Sequence, residues 1–507
     1  MDDKQSLPRG DAFYEHPRFW QAMLVIAIML NVYVILNSEL GLDAHVEGAY
    51  VESENGWVLD WGDTRTEDPL ASNPDNAKTV DGKNVKADMI MPFAILGMIL
   101  AIMVASKSGL NRDTMTVLLL NPALIFSIGR GYSEYTYLGI LAIAWMAWSQ
   151  LKESEKPPFL PRLLLIGIAS MLMLSIWSLK LKIDPIELLI PFFVLLVAGS
   201  LIDQIPGHWL NPKRAMLGGF GIGVFAIITC GLLGIGSFSV VTSEPIRFIQ
   251  ALPISVFGVI IVYGFVGMTL WPFARKTWEG MENSTDRLTG ELALFIGTMA
   301  GLIVTYVACL WSYESVLWNS AWPWHMWTMG NNGRYITILA IPCYVLIRRI
   351  NGELDWRQST AAIGVLMILP LSFAAGIHGQ TYWTDDAADI LSTNMEDNED
   401  FLFVHDTMLG MHYLYTFHTH IEDVTERNIT GHWRAPNSDW ESELFSEQPI
   451  QQRGNLSSVK WVVLSPGIEW DSPPEGWQST TEKADFMNGG GEWQVWSSAE
   501  VSFASET

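Results

Sequence analysis

Cysteine is scarce in this chain. Cys230, Cys309 and Cys343 are the only three. All sit inside apolar runs, so there is neither a disulfide framework nor a zinc-ligand spacing. Basic residues are also short: 30 Lys and Arg stand against 54 Asp and Glu, for a net charge of −24. The acids crowd residues 38–88 and the segment beyond 377. This balance excludes nucleic acid as a partner, and an acidic exposed surface also suits salt adaptation. The long apolar runs hold few charges, and no internal repeat is visible.

What the chain does have is hydrophobic length. It is 49% hydrophobic, with 23 Trp and 22 Met. Apolar runs of about 16–28 residues recur from residue 19 to 376. Roughly 20 such residues cross a bilayer as a helix, fewer where flanking groups snorkel, and lipid admits only helices or closed barrels. The pattern predicts a polytopic α-helical membrane protein of about eleven spans: 19–37, 89–105, 113–128, 135–149, 162–179, 185–202, 215–238, 246–273, 291–311, 335–347 and 360–376. The first run is too long, and its C-terminal flank too acidic, for a cleaved signal peptide.

Lys and Arg set the orientation. With a cytoplasmic N-terminus, Lys107, Arg112, Lys152, Lys213, Arg214, Arg275, Lys276, Arg348 and Arg349 all fall inside. The short outer turns keep Arg130, Lys180, Lys182, Arg247 and Arg334. An odd span count then puts both the 38–88 loop and the C-terminal tail outside. The division expected is 1–376 as membrane domain and 377–507 as a small extracytoplasmic α/β domain. In that tail TDDAADILSTNMEDNED reads as a helix capped at Thr384, and 401–406, 460–466 and 492–498 read as short buried strands. The stretch 431–458 reads as loop.

Charged residues at membrane-proximal turns are costly unless they pair or face a watery cavity. The outer face collects Asp43, His45, Glu47, Arg130, Glu134, Lys180, Lys182, Glu314, His325 and Arg334. Residues 42–54 contain good helix formers and stop at Asn55-Gly56, a C-cap pattern. As a helix on the membrane they would align Asp43, Glu47, Tyr50 and Glu54 on one face. Asp43 follows the first span most closely, and a carboxylate there could take a proton from an acceptor hydroxyl. The cations suit a lipid-linked phosphate, Arg by bidentate contact and Lys as a point charge. Structural alternatives stand beside each role. Asp43 could mark a solvated helix end, Arg130 could be a snorkelling anchor, and Glu134 could pair with Arg130. Lys180 and Lys182 could be headgroup contacts, and His325 could be packing among Trp322, Trp324 and Trp327. Alternation in Asp-x-His-x-Glu turns His45 away from its acidic neighbours on a helix. His405, His412, His418 and His420 straddle strand and loop, so metal ligation is left open.

Two stretches carry a family resemblance. LGLDAHVEGAY follows the first span, and SYESVLWNSAWPWHMWTMGNNGRYITILAIP places a Glu before an Arg-Tyr pair that opens a later span. In these the chain resembles the integral-membrane glycosyltransferases of the GT-C fold, such as protein O-mannosyltransferases and the lipid A aminoarabinose transferase. The resemblance implies transfer of a sugar from a polyprenyl-phosphate donor to a protein or lipid acceptor at the outer face. It implies Asp43 as general base and Arg334 at the donor phosphate. Glu47 and Glu134 are the further catalytic candidates. Arg130, Lys180 and Lys182 are the further phosphate contacts, and Tyr50, Glu314 and His325 the substrate contacts. The family's adjacent acidic pair is absent, since Ala44 follows Asp43, and no WWDYG-type motif occurs in the tail. The residues leave a divalent metal, the sugar and the acceptor open. A transporter or flippase for a lipid-linked sugar or an anion is the alternative. A structural membrane protein with an acidic outer domain is a third, and it leaves the outer cluster unexplained.

Overall fold

The computed structural model describes residues 12–37, 50–53, 56–59, 91–153, 205–317, 330–377, 383–405, 417, 421, 427, 429–434, 436, 438–444, 456–457, 459–484 and 491–498. The expected spans 162–179 and 185–202 lie outside them. Five described helices are long and apolar enough to cross a membrane, starting at Pro17, Pro212, Pro245, Arg287 and Ser359. The protein is a multi-pass, mainly helical membrane protein.

The helical part begins with α1 (Pro17–Asn37) and α2 (Met91–Lys107). The expected span 113–128 is two short helices, α3 (Arg112–Leu119) and α4 (Pro122–Gly129). Asn121-Pro122 breaks it, because Pro has no N–H to donate and favours a first helical turn. Asn121 caps α4 by accepting from Ala123 N at 2.9 Å. The carbonyls bared at the break are satisfied by other helices, as a low-dielectric setting demands. Asn31 Nδ2 donates to Leu119 O at 2.9 Å, and Ser372 Oγ donates to Leu120 O.

After α5 (Glu134–Glu153), α6 (Pro212–Leu232) packs along α9 (Arg287–Leu317). Glycines let the two backbones touch. A Cβ at Gly223 would collide with Thr298 O, and one at Gly301 with Phe220 O. Without a hydrophobic drive between helices in lipid, this close fit is what holds them. On the other side of α6, a Cβ at Gly218 or Gly221 would meet nothing within 4 Å among the described residues.

Between them, α7 (Pro245–Ser255) continues into a π-helix, Val256–Gly267. Pro253 cannot donate inside α7, and the hydrogen-bond register shifts after it. The expected span 246–273 therefore ends earlier, and α8 (Trp271–Asn283) is a separate helix. A 3₁₀ helix, Gly330–Leu339, leads into α10 (Ala340–Asn351), and α11 (Ser359–Ile377) follows. The π-helix and the 3₁₀ helix pack on one another. A Cβ at Gly333 would lie 2.7 Å from Tyr263 Cε2, so only glycine allows that approach.

The stretch expected as helix 42–54 is corrected where it is described. Tyr50–Ser53 (β1) pairs antiparallel with Gly56–Leu59 (β2). Gly56 opens β2 opposite Ser53 rather than following a helix cap. Tyr50 is thus on a strand rather than on a helical face.

Beyond α11 come α12 (Trp383–Asn394) and a five-stranded sheet of order β4-β3-β5-β7-β6. Thr384 lies in the first turn of α12 rather than before it. Strands β3 (Asp400–Val404), β5 (Trp461–Leu464) and β7 (Gly491–Ser497) fall on the expected strands. Strand β4 (Thr430–Arg434) corrects the reading of 431–458 as loop, and β6 (Gln478–Ala484) adds an edge. β4 and β5 run parallel to β3, β7 runs antiparallel to β5, and β6 runs antiparallel to β7. Alternation divides the strands between two faces. Phe401 and Phe403 pack against Trp383 and Leu391 of α12. Leu402, Val404 and Val462 pack with Trp440 and Trp470 on the other side.

Candidate active site

Three of the sequence candidates meet at one end of the helical bundle, where α4 and α11 finish and α5 starts. Glu134 is the first residue of α5, and Arg334 sits in the 3₁₀ helix. Arg334 Nε donates to Glu134 Oε1 at 2.8 Å, with side chains 2% and 4% exposed. Glu134 thus pairs with Arg334 rather than with Arg130, which corrects the simpler of its sequence readings. Arg334 Nη1 also approaches Asn332 Oδ1 at 3.4 Å. Its guanidinium lies over the rings of Tyr132, at 4.2 Å, and Tyr335, at 5.0 Å. Such faces stabilise a desolvated cation.

Arg130 flanks this pair. It is buried, its Cζ lies 3.8 Å from the Phe126 ring centroid, and its Nη1 donates to Ala375 O at 3.2 Å. Phe126 stacks on Tyr132 at 5.9 Å. The aromatic ladder therefore joins the two arginines. A snorkelling side chain would instead stretch away from its own helix towards water.

The irregular helices explain the placement. In a 3₁₀ turn, side chains at i and i+3 eclipse and the rise per residue is larger. Gly333 faces the π-helix, and the next residue, Arg334, is turned toward α5. Long 3₁₀ runs and π segments are uncommon and tend to mark functional places.

A cavity of about 70 Å³ opens beside the pair. Its described walls include Ser133, Glu134, Tyr137, Phe238, Tyr306 and Tyr335, with aliphatic residues of α6 and α9. A few polar groups in an apolar lining are typical of small-molecule sites. Glu134 Oε2 is buried there and has no hydrogen-bond partner among the described residues. No group of three or more His, Cys, Asp or Glu able to hold a metal occurs among the described residues.

Asp43, Glu47, Lys180, Lys182 and His325 lie outside the described residues. Tyr50 is on β1, and Glu314 is near the C-terminal end of α9. Sequence reasoning missed Tyr132, Tyr306, Tyr335 and Asn332 as site-forming residues. The signal for Tyr132 and Tyr335 was their adjacency to Arg130-Gly131 and Arg334.

No protein-family model and no curated protein matches the chain. Among solved structures it is similar to ArnT from Cupriavidus metallidurans bound to undecaprenyl phosphate. The identity is 12% and the TM-score 0.40, over 97% of this chain and 100% of that one. The apo state of that protein gives 13%, 0.37, 97% and 99%. The chemistry of the site is therefore argued from this chain's own residues.

Proposed function

We propose that the protein is a membrane glycosyltransferase that takes a sugar from a polyprenyl-phosphate donor and passes it to a protein or lipid acceptor. The observation that carries this reading is the buried Glu134–Arg334 pair, with Arg130 beside it, at the bundle end that borders a largely apolar cavity. A desolvated ion pair is an expensive way to hold helices together, since hydrophobic replacements often serve as well. Charges kept at headgroup depth fit a ligand that is itself charged there and apolar below it. A lipid phosphate has that form, and arginines are its natural partners.

In this reading Arg334 and Arg130, with Lys180 and Lys182, hold the donor phosphate. Asp43, placed just past α1, takes the proton from the acceptor hydroxyl as that oxygen attacks the anomeric carbon. The polyprenyl phosphate leaves with the bonding electrons, stabilised by the arginines. Glu47, Tyr50, Glu314 and His325 are candidate contacts around it. The site faces the extracytoplasmic side, with a cytoplasmic N-terminus, on the Lys and Arg distribution. Residues 377–507 form a separate extracytoplasmic domain.

The test is incubation of purified protein with a panel of polyprenyl-phosphate sugars, following release of polyprenyl phosphate and transfer to acceptor. Release or transfer with at least one donor is the expected result. A protein that leaves every donor intact, yet moves lipid-linked sugar across a vesicle membrane, would be a flippase and the proposal would fall.

A further inference from the structure

The proposed mechanism uses Arg334 and leaves Glu134 without a task of its own. Its Oε1 accepts from Arg334, while Oε2 is buried and without a hydrogen-bond partner among the described residues. A desolvated carboxylate oxygen is costly to leave unpaired. Yet Glu134 lines the cavity, with Ser133 beside it and Tyr137, Tyr306 and Tyr335 around it.

The chemistry of this wall selects what can stand against it. An ionised carboxylate only accepts hydrogen bonds, so the group opposite Oε2 must donate. A phosphate or carboxylate oxygen there would set acceptor against acceptor, which rejects it. The phosphate of a donor therefore belongs on the arginine side of the pair. The cavity side suits a group with donating substituents on its rim and an apolar face for the tyrosine rings. A pyranose has both.

We infer that Glu134 is the sugar-specificity residue. The cavity beside it holds the donor's sugar ring, and Oε2 accepts a hydrogen bond from one ring hydroxyl. This rests on the reading of the protein as a polyprenyl-phosphate glycosyltransferase. Arg334 then acts on both sides of the boundary: it meets the phosphate, and it fixes the carboxylate that reads the sugar. A donor with a hydrogen, a methyl ether or a carboxylate in place of that hydroxyl is refused. Glu134 is a binding group in this account, and the base remains Asp43.

Binding to the full-length protein in detergent tests this, with three kinds of probe. They are polyprenyl phosphate, its hexose-bearing form, and a set of that hexose's monodeoxy analogues. The sugar should add affinity, and one deoxy position should lose about 10- to 100-fold, the range for a hydrogen bond to a charged group. Glu134→Gln should shrink that discrimination, because the amide cannot offer the same charged acceptor. Ile338 and Leu302 both line the cavity, and Ile338→Trp, which fills it, should cut the affinity for the hexose form to that of bare polyprenyl phosphate while leaving the latter unchanged. Leu302→Trp provides the same block from α9 should the first variant unfold. If polyprenyl phosphate itself does not bind, the reading of the function is wrong. If it binds, but the sugar adds nothing, all deoxy forms bind alike, or filling the cavity leaves the sugar's contribution intact, the specificity role is overturned.

Discussion

Arg334 and Glu134 meet at 2.8 Å with side chains 2% and 4% exposed. At the opposite end of the bundle Lys213 and Glu282 meet at 2.9 Å with 28% and 67% exposed. The distances match, and the physics does not. At that second end Arg349 reaches Asp286 and Arg357 reaches Asp113, again with at least one partner in water. These pairs tie together α-helix ends and the turns beside them, and exposed pairs contribute about 0–1 kcal/mol each. The Arg334 end removes both charges from water, on helices of unusual register, beside a cavity. One end is held by charges that solvent already stabilises. The other keeps charges whose desolvation must be offset by each other and by what binds.

The largest effect expected follows from that difference. Arg334→Ala leaves Glu134 buried and uncompensated, a loss of about 3–5 kcal/mol. Thermal unfolding in detergent should show a large fall, together with weaker binding of polyprenyl phosphate. A shift as small as that of an exposed pair would erase the contrast between the ends.

Next comes Asp43→Asn, which keeps shape and removes the proposed base. Turnover should fall at least about 100-fold, the lower end for loss of a general base, with donor affinity little changed. Transfer rate against donor concentration separates the two. Near wild-type turnover would send the search for the base to Glu47, Glu134 or Glu314.

A smaller effect is expected at Asp286, which caps α9 by accepting from Thr289 N at 3.2 Å. Burial by itself would raise its carboxyl, but hydrogen bonds from Thr289 and Arg349 outweigh that and hold it below the usual carboxylate range. The sign follows. A depressed folded-state value means the contribution is present above the ordinary Asp range, near pH 4, and is lost as pH falls through the folded value. Asp286→Ala should cost about 0.5–2 kcal/mol at neutral pH, as for other lost N-caps. Melting curves between about pH 5 and 2 should fall more steeply for the wild type than for Asp286→Asn. Parallel curves would contradict this.

Smallest of all is Lys213→Ala, within about 0.5 kcal/mol. Its effect should vanish in high salt, where screening reaches such exposed charges. A cost comparable to that of Arg334→Ala would show that the fold depends on its two ends equally.

Much of this contrast was legible in the sequence, because charges next to apolar runs stand out. Glu134, Arg130 and Arg334 all stand out on that ground, and the structure brings them together. What could not be read was the pairing. Glu134 and Arg334 are separated by 200 positions, and they meet only because a 3₁₀ register and Gly333 turn the arginine toward α5. Helical periodicity carries no mark of that register. The break at Asn121-Pro122 was visible, but not the repair by Asn31 and Ser372, which depends on helices far apart in sequence. In the hairpin, the good helix formers of VEGAYVESENG outweighed the strand formers Val51, Trp57 and Val58, which belong to its two strands. β4 escaped notice because TGHWR carries a glycine and two charged or titratable groups. Its partner β3, an apolar run, did not.

The central claim is that the Glu134–Arg334 pair exists for a ligand and not for the fold. Replacing both members together, as Glu134→Leu with Arg334→Met, removes the charges without leaving one alone. Buried pairs exchanged for apolar side chains of similar volume are often neutral or stabilising. The measurement is polyprenyl phosphate binding by this double variant, read beside its unfolding temperature. The account predicts a protein that unfolds at or above the wild-type temperature and has lost affinity for polyprenyl phosphate. A double variant that stays folded and binds polyprenyl phosphate like the wild type would contradict it.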